Sequence, residues 1–452
     1  MFNRAHFENK RILVLGLGLT GMSFVRFLTK HNLPFSVNDS RTGLSQFDDF
    51  YSQYPHIDLV TGSWSSRLII QADIIFVSPG VDTTAAEIAN FIQPSCDVLG
   101  DIELYARISD VPCVAVTGSN GKSTVVNLVH HIGQELGVKT QLGGNVGVPV
   151  LDTLDDAPEL MVMELSSFQL ETISSLKPKA ACVLNLSDDH LDRHKTMQVY
   201  GELKRRIYNN ADTLVFNVDD KATYPESIHA ENVIGFTQAA PSQQQYGISD
   251  LDGQLMLTYG ETSVIPVAEL PISGIHNATN IMAALAIGKA VGWDMQAMVA
   301  ALPTFKGLPH RFERVASNDD LFWINDSKAT NVGATIAAIE GLAPTLSDSQ
   351  QLILIAGGEG KGADFTPLKT PIAQHISWLI ALGKDKSALT LLTENASEVD
   401  TMDQAVALAR QKSQKGDVIL LSPACASIDM FANFVARGEA FVSAIAQSRE
   451  AS

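Results

Sequence analysis

Residues 117–124, TGSNGKST, restrict the possible fold of this chain more than any other segment. They follow a short apolar run at residues 113–117 and lead into a helix, so a strand, a glycine-rich loop and a helix start come in that order. Backbone N–H groups and a helix N-terminus in this arrangement form a cradle for phosphate. Lys122 can reach the outer phosphates of a nucleotide, and the Ser123 hydroxyl can bind Mg²⁺. The loop is shorter than the usual G-x-x-x-x-G-K-[ST] pattern, and a chance glycine turn is the alternative.

Short apolar runs recur in three groups, which is typical of buried parallel strands that alternate with helices. The groups lie at residues 11–15, 34–37 and 73–77, then at 113–117, 160–163 and 181–184, and finally at 351–356, 378–382 and 418–421. The length of 452 residues suggests about three domains. We predict an α/β protein with three domains, at residues 1–100, 101–307 and 308–452, each a mainly parallel sheet flanked by helices.

Composition excludes several classes of partner. The formal net charge of −18 repels nucleic acid and anionic lipid at long range, so neither is expected to bind. The four cysteines are widely scattered without metal-ligand spacing, which indicates reduced cytosolic thiols. Apolar runs stay below the ~18 residues of a membrane helix, and the run after Arg11 is broken by glycines and is not a signal peptide. We therefore predict a cytoplasmic protein without membrane insertion.

A second glycine loop lies near the N-terminus. Gly16, Gly18 and Gly21 form a G-x-G-x-x-G pattern after the first apolar run, and Asp39 follows about 20 residues later, where a ribose-binding acid lies in dinucleotide-binding domains. Taken alone, this pattern indicates NAD. The alternative is a purely structural role, as a tight turn with close helix–strand packing. The same loop can also hold the pyrophosphate of another nucleotide.

Two predicted strands of the middle region end in side chains suited to metal binding. Glu164 ends one strand, and the segment at residues 185–194, NLSDDHLDRH, follows the next. A carboxylate and an imidazole at adjacent strand ends fit a divalent-metal site that faces the phosphate loop. For His190 alone, a structural loop histidine would be the simpler interpretation, but the neighbouring acids favour the metal site.

Six motifs then occur in a fixed order along nearly the whole chain. They are TGSNGKST, ELSSFQL from Glu164, DHLDR from Asp189, LPHRFE from Leu308, NDSKATN from Asn325 and SPACAS from Ser422. Together they resemble the Mur ligase family, and the last two resemble its D-glutamate-adding branch. Single motifs are shared with folylpolyglutamate synthetases. The DNPR segment of the diaminopimelate-adding relatives does not occur in this sequence.

The resemblance implies an N-terminal Rossmann-like UDP-binding domain, a central P-loop ATPase domain and a C-terminal Rossmann-like domain. It also implies a two-step reaction of bacterial peptidoglycan synthesis. The alanyl carboxylate of UDP-N-acetylmuramoyl-L-alanine attacks the γ-phosphate of ATP, and the resulting acyl phosphate reacts with the amine of D-glutamate. Two Mg²⁺ ions and Lys122 would offset the charge of the transferring group. We expect a monomer.

The resemblance assigns roles to individual residues of this sequence. On the ATP side these are the phosphate-loop residues Gly118, Ser119, Asn120, Gly121, Lys122, Ser123 and Thr124, together with Asn277, Asn280, Arg311 and Asp326. The metal ligands are Ser123, Glu164, His190 and Lys204, the last as a carbamate formed on the lysine. Lys122, His190, Lys204 and Lys328 form the catalytic set.

The two remaining substrates also have assigned residues. The UDP-sugar pocket comprises Leu19, Thr20, Asp39, Ser40, Arg41, Gly80 and Asn145. The D-glutamate pocket comprises Lys328, Thr330, Lys361, Ser427 and Phe434. Position 40 is serine where the family pattern has threonine, and both residues offer a hydroxyl group. Lys328 and Arg311 would add positive charge from the third domain, so that the site is complete only when that domain closes.

Three other functions compete with this interpretation. A folylpolyglutamate synthetase has the same architecture, but the Asp39-Ser40-Arg41 cluster has no role there. An NAD-dependent oxidoreductase would use the first glycine loop and leave the Gly-Lys-Ser loop unexplained. A nucleotide-binding regulatory protein without turnover would not need so many reactive side chains at strand ends. Phosphate release from ATP in the presence of the UDP-sugar acceptor separates these alternatives.

Overall fold

The computed structural model describes residues 4–225, 232–272, 274–347 and 349–447. The predicted first and third domains extend to residues 1–3 and 448–452, which lie outside the described residues. Within the described ranges the strands form three separate sheets, and helices pack on their faces. The prediction of an α/β protein with three mainly parallel sheets is therefore confirmed.

The first sheet is wholly parallel in the described residues, with strand order β3-β2-β1-β4-β5. Its strands are β1 Ile12–Leu15, β2 Phe35–Asp39, β3 Leu59–Thr61, β4 Ile74–Val77 and β5 Asp97–Leu99. The helices of this region are α1 Leu19–Lys30, α2 Ser45–Gln53, α3 Ser66–Gln71 and α4 Ala86–Ala89. Side chains of β1 alternate between two apolar clusters, with Val14 in one and Leu13 in the other. Both faces are thus covered, which explains why the strand is apolar throughout.

Helix α5, Asp101–Ile108, leads from the first sheet into the second. The buried Glu103 carboxylate accepts hydrogen bonds from the backbone N–H groups of Ser174 and Ser175, at 2.7 and 3.0 Å. It also pairs with Arg107 at 2.8 Å. These contacts attach α5 to the central region, and the predicted boundary near Gly100 falls between β5 and this helix.

The central sheet has strand order β14-β13-β12-β11-β10-β9-β6-β8-β7 in the described residues. Its strands are β6 Cys113–Thr117, β7 Thr140–Gly144, β8 Leu160–Glu164, β9 Ala180–Val183, β10 Thr213–Asn217, β11 Asn232–Phe236, β12 Gln245–Leu251, β13 Gln254–Tyr259 and β14 Thr262–Pro266. The helices are α6 Lys122–Glu135, α7 Ser167–Leu170, α8 Leu191–His194, α9 Met197–Arg205, α10 Ile275–Ala290 and α11 Met295–Ala301. Strands β12 to β14 pair antiparallel, an extension that the strand–helix rhythm did not predict.

The third sheet has strand order β15-β16-β20-β17-β18-β19, and among its described strands only β15 pairs antiparallel. The strands are β15 Glu313–Val315, β16 Phe322–Asn325, β17 Leu352–Gly357, β18 Trp378–Leu382, β19 Ala396–Glu398 and β20 Val418–Leu421. The helices are α12 Val332–Leu342, α13 Lys369–His375, α14 Lys386–Thr390, α15 Met402–Lys412 and α16 Phe434–Gln447. The predicted boundary near Gly307 falls between α11 and β15.

Sheet topology determines where the reactive side chains meet. Strands β6, β8 and β9 are parallel neighbours, so the loops after Thr117, Glu164 and Val183 leave the same edge of the central sheet. Ligands of open α/β sheets bind at this edge, outside the carboxyl ends of the strands. The corresponding edge of the third sheet carries the loops after β16, β17 and β20.

Among the helices that the structure describes, none has both the length and the apolar character to span a membrane.

Candidate active site

The phosphate loop lies between β6 and α6. Gly118 and Gly121 have φ values of 151° and 84°, in the region that L side chains rarely adopt. A Cβ atom on Gly121 would also lie 2.4 Å from Oδ1 of Asn280, so glycine is required there for space as well. From behind, Asn185 accepts hydrogen bonds from the backbone N–H groups of Ser119 and Asn120, at 2.9 and 2.8 Å. The loop is therefore a rigid cradle at the N-terminus of a 14-residue helix.

Lys122 lies within this cradle. Its Nζ donates hydrogen bonds to the carbonyl oxygens of Gly118 and Ser119, at 2.7 and 2.9 Å. Burial lowers the pKa of Lys122, and the nearby carboxylates of Glu164 and Asp189 oppose that change. The side chain therefore places a cation where the outer phosphates of a bound nucleotide would lie.

Next to Lys122, four polar side chains from the central and third regions of the chain meet. Ser123 Oγ donates to Oε2 of the buried Glu164 at 2.6 Å, and Arg311 Nη2 donates to Ser123 Oγ at 2.7 Å. Asn145 Nδ2 donates to the other oxygen of Glu164 at 2.7 Å. A carboxylate and a hydroxyl at this spacing are the hard oxygen ligands that Mg²⁺ prefers. Asn145, predicted in the UDP-sugar pocket, is thus placed by the structure against a predicted metal ligand.

Lys204 lies beneath the same loop, on α9, and only 2% of its surface is exposed. Its Nζ donates to Gly118 O at 3.0 Å and to Thr117 Oγ1 at 3.2 Å, and it lies 4.8 Å from the ring centroid of Tyr200. Burial and the neighbouring Lys122 hold the pKa of Lys204 well below its ordinary value. Burial in this setting favours the neutral amine over the ammonium ion.

His190 lies at the start of α8, in a left-handed conformation with a φ of 54°. Its ring is 5.0 Å from that of Phe168, and its Nε2 is 3.7 Å from Asp189 Oδ1. Its role as a metal ligand stays a prediction. Over the described part of the chain, no group of three or more histidine, cysteine, aspartate or glutamate side chains is arranged to hold a metal ion by itself.

A cavity of about 300 Å³ opens beside the phosphate loop. It is lined by residues predicted for ATP from both the second and third domains, among them Asn120, Thr124, Asn277, Asn280, Arg311 and Asp326. Asp326 accepts from the backbone N–H of Phe312 at 3.2 Å and from Ser422 Oγ at 3.1 Å, and burial raises its pKa to about 7. The structure thus brings together residues that the resemblance assigned to ATP, across more than 200 positions of sequence, and their binding of ATP stays a prediction.

The predicted D-glutamate residues lie at the facing edge of the third sheet. Lys328 also lines the cavity, and its Nζ lies 3.9 Å from the ring centroid of Phe434. Burial lowers the pKa of Lys328 to about 8. Ser427 is buried, whereas Thr330 and Lys361 are exposed, Lys361 with a φ of 52° in the loop after β17. The structure places Lys328 against Phe434, and the role of all five residues in D-glutamate binding stays a prediction.

The N-terminal glycine loop is closely packed. A Cβ on Gly21 would lie 1.9 Å from the carbonyl oxygen of Gly16, so only glycine lets α1 approach β1 this closely. Asp39 Oδ2 accepts from the backbone N–H of Leu17 at 2.7 Å and pairs with Arg41 Nη2 at 2.7 Å. Burial alone would raise the pKa of Asp39, but hydrogen bonds to Arg41 and Leu17 outweigh it and lower the pKa.

The other residues predicted for the UDP-sugar surround this pair. Leu19 is 84% exposed at the start of α1, Ser40 and Gly80 are also exposed, and Thr20 is half-buried. An exposed leucine at the mouth of a glycine loop is available to a ligand, but a single exposed apolar residue is also common on protein surfaces. These assignments stay predictions.

Sequence reasoning did not find Arg437, on α16, whose side chain is almost fully buried. Its guanidinium donates to the carbonyl oxygens of Ser327, Cys425 and Gly357, at 2.8, 3.0 and 3.4 Å. It thus ties together the three loops that carry the predicted D-glutamate residues. The signal in the sequence was that Arg437 is the one basic residue of a mainly apolar helix.

Family models match this chain in three consecutive segments. Residues 10–100 match the Mur ligase MurD-like N-terminal domain, residues 116–288 the Mur ligase middle domain, and residues 310–425 the Mur ligase glutamate ligase domain. Among curated proteins, the UDP-N-acetylmuramoylalanine--D-glutamate ligase of Colwellia psychrerythraea is 47% identical and covers 98% of both chains. That of Shewanella oneidensis is 43% identical and covers 96% of this chain and 98% of its own.

Solved structures show the same fold at much lower identity. MurF ligase from Thermotoga maritima in complex with ADP covers 99% of this chain and 98% of its own, with a TM-score of 0.64 at 17% identity. The pseudomurein peptide ligase type C of Methanothermus fervidus covers 91% and 96%, with a TM-score of 0.59 at 20% identity. Taken with the phosphate cradle and the residues gathered around it, the full-length sequence matches show that this chain belongs to the Mur ligase family, in the branch of the UDP-N-acetylmuramoylalanine--D-glutamate ligases.

Proposed function

We propose that this enzyme joins D-glutamate to UDP-N-acetylmuramoyl-L-alanine at the expense of ATP, for peptidoglycan synthesis. The observation that carries the proposal is the contact of Arg311, from the third domain, with Ser123 beside Glu164 in the central domain. This contact joins the phosphate cradle to the loops of the third sheet in one site. The near full-length similarity to named D-glutamate ligases supports the choice of substrates.

The first step forms an acyl phosphate. A carboxylate oxygen of the alanyl group forms a bond to the γ-phosphorus of ATP, and the bond from that phosphorus to the β,γ-bridging oxygen breaks and releases ADP. Lys122 supplies positive charge within the phosphate loop and Arg311 supplies it at Ser123 Oγ, which offsets the repulsion between the anionic reactants. Mg²⁺ bound at Ser123 and Glu164 would supply further charge neutralisation to the phosphates.

We propose two further ligands for the metal ions, His190 and a carbamate on Lys204. The carbamate forms when the neutral amine attacks CO₂ and loses one proton. The burial of Lys204 beside Lys122 supports this, because two ammonium groups in such a confined, poorly solvated place would repel each other. Carbamylation replaces the amine by an anionic oxygen ligand next to the Gly118 carbonyl.

The second step forms the amide. The amine of D-glutamate attacks the acyl carbon, the tetrahedral intermediate expels phosphate, and the nitrogen loses a proton. We propose that Lys328 and Lys361 each pair with a carboxylate of D-glutamate, while Thr330 and Ser427 donate hydrogen bonds and Phe434 closes one side. Lys328 is well placed for this, since it lines the ATP cavity and therefore faces the reaction centre.

We expect D-glutamate to be the preferred amine, by a factor of about one hundred over L-glutamate. When both carboxylates are held, only one enantiomer directs its amine at the acyl carbon, and a lost charged hydrogen bond costs about 2–3 kcal/mol. Product formation with D-glutamate, L-glutamate, L-lysine and diaminopimelate at equal concentration measures this preference. Faster product formation with any but the first would contradict the proposed substrate.

Asp39 provides a test of the UDP-sugar pocket. We expect Asp39→Asn to weaken UDP-sugar binding by about tenfold, because the variant loses the negative charge that orients Arg41. The amide oxygen can still accept from the Leu17 N–H, so the loop should keep its shape. Isothermal titration calorimetry with the UDP-sugar and with ATP is the measurement. An equal loss of ATP affinity, or tight binding of NAD by the unaltered enzyme, would show that the pocket is assigned wrongly.

The predictions of a cytoplasmic location and a monomeric state belong to the same proposal. The four cysteines are all free in the structure, which suits a reducing compartment. Sedimentation velocity of the purified enzyme measures the oligomeric state, and a concentration-dependent dimer would contradict the second of these predictions.

A further inference from the structure

Asn331 joins the third domain directly to the phosphate loop. Its Nδ2 donates to Oδ1 of Asn120 at 3.2 Å, and Nδ2 of Asn120 donates to Oδ1 of Asn331 at 3.4 Å. The two residues are 211 positions apart in sequence. The pair therefore bridges two domains at the cavity where ATP is proposed to bind, since Asn120 lines that cavity.

Neighbouring groups determine the orientation of both amides. Asn331 is the N-cap of α12, and its Oδ1 accepts from the backbone N–H of Ala334 at 2.8 Å. Its NH₂ group therefore has to point towards Asn120. On the other side, Asn120 Nδ2 also donates to Ser187 Oγ at 3.4 Å, which directs the Asn120 oxygen to Asn331. The two hydrogen bonds are thus complementary rather than accidental.

The backbone of α12 approaches the central domain closely at the same point. A Cβ added to Gly333 would lie 3.0 Å from Ser187 Oγ, which is tighter than an ordinary contact. The backbone N–H of Ser187 in turn donates to Ser119 Oγ at 3.0 Å. The start of α12 therefore rests on the segment that supports the phosphate loop, and small movements at this contact would be transmitted to both domains.

We propose that Asn331 is a positioning residue. Its two hydrogen bonds with Asn120, called the lock below, hold the third domain against the phosphate loop while the acyl phosphate exists. Lys328 and Thr330 lie just before Asn331 in the chain, so the lock determines where the proposed D-glutamate pocket stands relative to the γ-phosphate. It also keeps water from the acyl phosphate, which would otherwise be hydrolysed. This inference rests on the proposed two-step ligation.

Asn331→Ser tests the lock without removing the helix cap. Serine caps helices about as well as asparagine does, but its side chain is too short to reach Asn120. We expect product formation to fall about tenfold and the phosphate released per product to rise from one to roughly two or more. The KM for ATP should change less than the KM for D-glutamate, and the midpoint of thermal unfolding should stay unchanged.

Asp294→Ser is the matched control. Asp294 caps α11 by accepting from the Ala297 N–H at 2.9 Å, as Asn331 caps α12, but it belongs to an exposed turn outside the site. This variant should keep the stoichiometry of the unaltered enzyme. Asn120→Ala and the double variant with Asn331→Ser complete a double-mutant cycle. The second change should add little to the rise in phosphate released per product that the first change causes.

The outcomes separate the lock from the proposed function. A one-to-one ratio of phosphate to product in Asn331→Ser, or effects of the two asparagine changes that simply add, would overturn the lock. Equal losses of phosphate release and product together with a lower unfolding midpoint would assign Asn331 to structure alone and would also overturn it. If the unaltered enzyme forms no product from D-glutamate, the proposed function itself fails.

Discussion

Lys122→Ala should reduce the rate of product formation by about a thousandfold while the protein stays folded. The side chain places its Nζ inside the phosphate cradle, where it donates hydrogen bonds to the carbonyl oxygens of Gly118 and Ser119. These two hydrogen bonds are local to the loop, so their loss should change global stability little. The variant does, by contrast, lose the ammonium charge that offsets the negative charge of the transferring phosphoryl group. Each tenfold loss of rate corresponds to about 1.4 kcal/mol.

Steady-state kinetics and thermal unfolding of the same preparation measure the two effects. Lys139→Ala is a matched control, because it removes a lysine from an exposed position of the central domain before β7. That variant should keep normal activity. Near-normal ATP turnover in Lys122→Ala would refute the assignment of residues 117–124 as the phosphate loop.

Lys204→Ala should also lose nearly all activity, by about a thousandfold or more. The change removes the proposed carbamate and leaves a buried space beside Thr117, Gly118 and Tyr200. Short carboxylic acids such as formate or acetate can enter this space and offer the missing anionic oxygen. We therefore expect partial recovery of activity at millimolar acid, which a purely structural lysine would not show.

Two measurements make this prediction specific. Lys122→Ala should not respond to the same acids, because it lacks a cation rather than a carboxylate. Enzyme kept under ¹³C-labelled CO₂ should show a carbamate carbonyl resonance that disappears in Lys204→Ala. Normal activity of the alanine variant, or the absence of both the resonance and any acid rescue, would contradict the carbamate.

The local elements of the fold could be predicted because their causes are local. Runs such as residues 113–117 and 418–421 are almost wholly apolar since helices cover both faces of their sheets, and the structure has strands there as predicted. The apolar run at residues 34–37 belongs to a strand that runs over Phe35–Asp39, so Asp39 ends this strand as predicted. The antiparallel strands β12 to β14 were missed because their burial is uneven and their apolar residues do not form a continuous run.

In the candidate site, too, the sequence predicted the local positions of residues but not the contacts between distant segments. The sequence placed Glu164 at the end of a strand, but it could not show that Asn145 and Ser123 share the two oxygens of that carboxylate. Likewise, Arg437 became visible only through its contacts with Ser327, 110 positions away, and with Gly357 and Cys425. Such contacts depend on how strands are ordered in a sheet, which a motif does not record.

By itself, the sequence determined the glycine positions, the strand–helix alternation and the order of the motifs, because backbone conformation and burial pattern act over a few neighbouring residues. Only the tertiary structure decided which of those motifs meet. Arg311 reaches Ser123 across 188 positions and Asn331 reaches Asn120 across 211, and both contacts exist because the third sheet presents its loops to the same edge of the central sheet. Local motifs therefore supply the reactive side chains of the site, whereas the packing of the third domain against the central one brings these side chains together.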